Sequence, residues 1–186
     1  MVARLEPISP QSMSQAQQEL YEVLTAGPRS KDPGFPLTNS DGSLQGPFNA
    51  LLLSPTIGAA LQEVGNALRH SSGLLPRERE ITILTVASYW ECEFELATHE
   101  RIGRELGLST EELLSLRQGS VPDFAIGRET TCALVAQALT RVGGRISDSD
   151  WESWIPELGR SGVFELSSIV GYYSVLALQM RIFQVS

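Results

Sequence analysis

Cysteine and histidine are scarce in this 186-residue chain: Cys92 and Cys132 are its two thiols, and His70 and His99 its two imidazoles. Two thiols are too few for a disulfide-stapled secreted scaffold or a four-ligand zinc site, and no metal is expected. Positive charge is short as well. Fourteen Lys plus Arg against twenty-two Asp plus Glu leave a net charge of -8, which repels a phosphate backbone, so nucleic acid is not an expected partner. The opening Met-Val-Ala-Arg-Leu-Glu-Pro has no apolar stretch suited to a signal peptide, and a cytoplasmic address is the expectation. The most apolar run, Val163 to Phe183, is interrupted by Glu165, Ser167, Ser168, Ser174, Gln179 and Arg181. Charges at bilayer depth cost ~2.5 to 3.5 kcal/mol each, so this run is expected to be a buried core or subunit-interface helix and not a membrane span. No segment alternates with period two for long enough to make a strand.

What is present is an ordinary globular composition, 42% hydrophobic and 19% charged, and a length suited to a single domain over 1–186 with an N-terminal helix and loop at 1–46. Six of the ten prolines fall within the first 47 residues, and Gly27, Gly34, Gly42 and Gly46 mark Ala26 to Pro47 as a loop. Elsewhere Pro, Gly and capping residues divide the chain into pieces of helix length. The expected helices are 14–25, 55–70, 77–89, 91–106, 110–118, 124–142 and a C-terminal pair over 148–183, about seven in an all-α fold.

The chemistry concentrates between Pro76 and Leu108. Projected at ~100° per residue, Glu80 falls in the apolar stripe of its helix, among Ile81, Ile83, Leu84 and Ala87. On the next helix Cys92, Glu95 and His99 share the apolar side with Ile102 and Leu106, while Glu93, Glu100, Arg101 and Arg104 gather opposite. If the chain reverses near Tyr89-Trp90, residues whose numbers sum to about 179 come level, which sets Glu80 beside His99. Buried carboxyls flanking an imidazole form a general acid–base constellation, or else a hydrogen-bonded network that merely holds the hairpin together. Cys92 is a further candidate, although Glu91, Glu93 and Glu95 surround it and oppose a thiolate more strongly than a helix dipole favours one. His70 is expected as a helix-end cation, and Trp151 and Trp154 as packing residues.

Glu80, Cys92, Glu95 and His99, set between Arg77-Glu78-Arg79-Glu80 and His99-Glu100-Arg101-Ile102, resemble the carboxymuconolactone decarboxylase and alkylhydroperoxidase-D-like superfamily. The likeness extends over Gly46-Pro47-Phe48-Asn49, Ser54-Pro55, Gly107-Leu108-Ser109 and Glu165 to Tyr173. The redox branch carries Cys-x-x-Cys followed by His, and Glu95 stands here in place of the second cysteine. Tyr89-Trp90 with Glu93-Phe94-Glu95 looks closer to the decarboxylase-like branch. The resemblance implies a helical bundle, a homo-oligomer of three or six chains, no cofactor, and a lyase or isomerase acting on a small oxygenated or lactone-type substrate. In it His99 is the main proton donor or acceptor, Glu95 and Glu80 tune it, and Tyr89, Trp90, Tyr172 and Tyr173 are candidate substrate contacts. Two other readings stand beside it: a thiol peroxidase using Cys92, and a non-catalytic oligomeric binding protein.

Overall fold

Ser14 opens the first helix, α1 (Gln15–Ala26), by accepting from the Gln17 N–H while the Gln17 side chain accepts from the Ser14 N–H, so each end of the box satisfies a donor that the first turn leaves unpaired. Prolines begin the next three helices, α2 (Pro47–Leu51), α3 (Pro55–His70) and α4 (Pro76–Tyr89), where their fixed φ suits the first turn and their missing N–H costs nothing. The chain continues through α5 (Glu93–Glu105), α6 (Thr110–Arg117), α7 (Gly127–Arg141) and α8 (Asp148–Phe183). Ser109 and Glu112 cap α6 in the manner of α1. In this computed structural model the described residues are 4–27, 37–141 and 143–184, and among them the fold is all-helical, with an isolated bridge between Thr38 and Leu44.

Three features depart from the sequence expectation. The first is α2, a buried single turn directly after the expected loop and outside the expected helices; Gly46 at φ 53 turns the chain into it. Within that expected loop, residues 28–36 lie outside the described residues. The second is the start of α7, which waits until Gly127 because 120–126 runs irregularly and buries Phe124. The third is α4, where an apolar stripe was expected and burial is continuous instead: every residue from Glu80 to Ala87 is inside, Thr82 and Thr85 included. Those two hydroxyls donate to the carbonyls one turn back, at Glu78 and Ile81, so they enter the interior satisfied.

Two compact units divide the chain, one made of 1–66 with 178–186 and the other of 67–177. In the first, Asn49 is buried and clamps the N-terminal segment, accepting from Ile8 N–H and donating to the Glu6 carbonyl. Gly58 lets α3 approach the end of α2: a Cβ there would stand 2.4 Å from the Leu51 carbonyl oxygen. In the second unit α4 is the central element. Its Ile81, Leu84 and Ala87 pack with Leu96, Leu108, Leu113, Leu116, Phe124 and Ala133 from the surrounding helices. Gly159, at φ 66, breaks α8 into the two pieces expected there.

α8 alone among the described residues is long and apolar enough to cross a membrane by length and composition. Within the second unit it exposes Phe164, 71% accessible, and Val175.

Candidate active site

The four charges that open α4 cannot share one face of a helix, and each finds a different partner. Arg77 forks onto Glu129 at 2.7 and 3.0 Å and reaches Glu112 at 3.3 Å. Glu78, fully buried, accepts from Arg128 at 2.7 Å and from the Leu75 N–H at 3.0 Å. Arg79 donates through Nη1 to the Arg69 carbonyl at 3.0 Å. Glu80 turns toward α5.

Between the helices the chain reverses in three residues. Glu91 takes a left-handed φ of 51, its N–H bonds the Ser88 carbonyl, and the Cys92 N–H bonds the Ala87 carbonyl at 2.9 Å. Cys92 becomes the residue capping α5 instead of part of its body, so α5 begins two residues later than periodicity implies. The reversal sets Glu80 Oε2 2.6 Å from His99 Nδ1, as the summed numbering requires. On the other side of the ring, His99 Nε2 lies 3.2 Å from Glu95 Oε2, one helical turn back. All three side chains are buried. The result is a line, Glu80–His99–Glu95, with a carboxyl at each ring nitrogen.

Burial alone disfavours a charged ring, but the charge and hydrogen bond of Glu80, then those of Glu95, outweigh it and push His99 up to about 9. At neutral pH the ring is therefore an imidazolium that donates in both directions. Cys92 behaves oppositely. Burial pushes its thiol up to about 11; hydrogen bonds from the backbone N–H groups of Glu95 and Phe94 oppose this, and the charges of Glu95 and Glu93 add to it. Cys132 is deeper and higher still, at about 12, through burial and then the charge of Glu78.

The aromatic candidates divide. Tyr173, buried on α8, sets its ring edge-on to His99 with centroids 5.2 Å apart, and Tyr172 packs edge-on to Tyr173 at 5.3 Å. Trp90 is half-buried and its indole N–H donates to Ser174 Oγ at 3.0 Å, tying the turn to α8. Tyr89 is 45% exposed and packs edge-on to Trp90, on the outer side of that turn. Among the other expectations, His70 is the exposed last residue of α3, Trp154 is buried, and Trp151 is half-buried. Glu93 and Glu100, grouped on the outer face as expected, both engage Arg117.

Sequence reasoning missed Arg79, whose Nε stands 3.7 Å from Glu80 Oε1, and Ser174. The signal for Arg79 was in plain sight, since a run of four alternating charges on a helix of otherwise buried residues must be neutralised group by group. Among the described residues no cluster of three or more His, Cys, Asp or Glu is arranged to hold a metal ion.

Comparison with known proteins follows the same lines. The sequence model of the carboxymuconolactone decarboxylase family matches residues 55–138. A search of curated proteins finds no match. Among solved structures, a peroxidase-related protein from Silicibacter sp. TM1040 is similar, with a TM-score of 0.77 at 16% identity, over 99% of this chain and 91% of that one. A peroxidase-related protein from Ralstonia eutropha JMP134, described as an alkylhydroperoxidase AhpD core, gives 0.74 at 14% identity over 100% and 92%. A debrominase solved in complex with 2,3,4-tribromopyrrole gives 0.74 at 9% identity over 100% and 92%.

Proposed function

The match of residues 55–138 to the carboxymuconolactone decarboxylase family and the likeness of the fold to alkylhydroperoxidase-D-like structures support one reading: we propose that this chain is a cofactor-independent lyase or isomerase of that superfamily whose proton chemistry runs through Glu80, His99 and Glu95. The observation that carries this reading is the buried line of three groups, in which the imidazolium is held by a carboxyl at each nitrogen. With both nitrogens engaged, His99 is the centre of a relay and not its end. The two ends differ: Glu80 is bound short, at 2.6 Å, with Arg79 behind it, whereas Glu95 sits at the looser 3.2 Å. Glu95 is therefore the group through which the His99 proton reaches substrate.

For a decarboxylation, the bond to the leaving carboxylate breaks, CO2 departs, and the electron pair is held as an enolate. A proton passed from the His99 imidazolium by way of Glu95 then closes on carbon, and water returns a proton to the ring before the next turnover. Isomerisation uses the same two groups in the order base, then acid. Tyr173 and Tyr172 form the aromatic wall beside the ring. The substrate proposed is a small oxygenated or lactone-type ring. The tribromopyrrole in the debrominase complex is a small planar ring, and that supports the size class.

A thiol peroxidase is the weaker reading, since a thiol pushed up to about 11 is almost wholly protonated at neutral pH.

The test is a panel of carboxylated lactones and related keto acids incubated with the protein in D2O. Proton NMR would follow CO2 loss and deuterium entering at carbon. His99→Gln and Glu95→Gln should each lower the rate by roughly 100-fold or more, with helical circular dichroism unchanged. A rate that survives in His99→Gln overturns the reading.

A further inference from the structure

Glu80 has one oxygen for each of two cations. Oε2 is 2.6 Å from His99 Nδ1, and Oε1 is 3.7 Å from Arg79 Nε, just outside hydrogen-bond reach. The Nε atom of Arg79 is buried and has no hydrogen-bond partner, although the same guanidinium is anchored through Nη1 on the Arg69 carbonyl at 3.0 Å. A buried donor left in this state is costly, and the nearby Glu80 oxygen is the acceptor that would relieve it.

We propose that Arg79 is a positioning residue that shares Glu80 with His99. While the ring is an imidazolium, Glu80 leans on it. When the ring passes its Nε2 proton toward Glu95, the ring becomes neutral and the carboxyl loses half its reason to stay there. Oε1 then closes on Arg79 Nε, so the buried carboxyl keeps a cationic partner in both states and the ring is not bound too tightly to its proton.

Among the described residues, those set against His99 are Glu80 from α4 with Arg79 behind it, Glu95 on α5, and the Tyr173 ring from α8. Of these, Arg79 is a cation that takes no part in proton exchange, which suits it to the role of a fixed counterweight.

This rests on the acid–base reading of the site, but it is tested without substrate, so the two can fail separately. The chain has two histidines, His70 and His99, so an NMR titration of 15N-labelled protein carries two imidazoles, with the exposed His70 as internal reference. In Arg79→Met the His99 midpoint should rise by roughly half a pH unit or more, because a competing cation is gone. Arg79→Lys should stay near wild type, and His70 should not move. In wild type, the Arg79 Nε–H resonance should shift downfield with the same midpoint as His99, reporting the new hydrogen bond. That second measurement needs no variant and holds if Arg79→Met does not fold. A His99 midpoint that is unchanged or lowered in folded Arg79→Met, or an Arg79 Nε–H that does not follow His99, overturns the proposal.

Discussion

At His99, burial by itself favours the neutral ring, and the carboxyls of Glu80 and Glu95 reverse that preference, carrying the group from 6.5 up to about 9. A group whose folded value is raised adds stability that is complete below its unfolded value and disappears as pH climbs through the folded one. The contribution of His99 is therefore whole below about pH 6.5 and lost between there and about pH 9. Glu80→Gln removes one partner of a buried pair and should cost roughly 3 to 5 kcal/mol near pH 6. The gap between wild type and variant should then narrow by pH 9.5. Urea unfolding at the two pH values checks this, and a gap that is constant or grows with pH sinks it. The same accounting of charge explains why Cys92, though beside the first turn of a helix, is not activated. Burial, with the charges of Glu95 and Glu93, outweighs the backbone hydrogen bonds from Glu95 and Phe94.

At the scale of elements, close approaches set where glycine is required. A Cβ at Gly58 would meet the Leu51 backbone oxygen at 2.4 Å, and one at Gly103 would meet the end of the Leu108 side chain at 2.7 Å. Backbone yields less than a side-chain tip, so Gly58→Ala should destabilise by about 2 to 3 kcal/mol and Gly103→Ala by less. Thermal melts give the order, and the reverse order would contradict it. Helix boundaries were legible in the sequence wherever a cap or a proline wrote them, as at Ser14, Pro55, Pro76 and Ser109. The pairing of Glu80 with His99 was legible too, because a tight reversal leaves only one register. Three things were not. Gly46 and Pro47 are loop-formers by type, and only tertiary burial makes the turn after them helical. The stripe read on α4 is absent because a central helix has no solvent side to mark. Glu91 in a left-handed conformation moves the start of α5, and no propensity announces a non-glycine residue there.

At the largest scale, α8 is an apolar helix that is only partly buried, and it presents Phe164 and Val175 to solvent. We propose that this face meets a second copy of the chain, giving the homo-oligomer expected of the superfamily. Wild type should sediment as an oligomer and Phe164→Glu as a smaller species with the same helical spectrum. A wild-type monomer, or a variant of unchanged size, would refute it. One division of labour runs through the fold. Glu80, Glu95 and His99 all fall inside the span 55–138 that matches the family, whereas Tyr172, Tyr173 and Ser174 come from outside it. In the proposed reaction, the tyrosines beside the imidazole can therefore be exchanged by substitution in α8 while the three acid–base groups stay in place, which would alter the reactant accepted and not the chemistry.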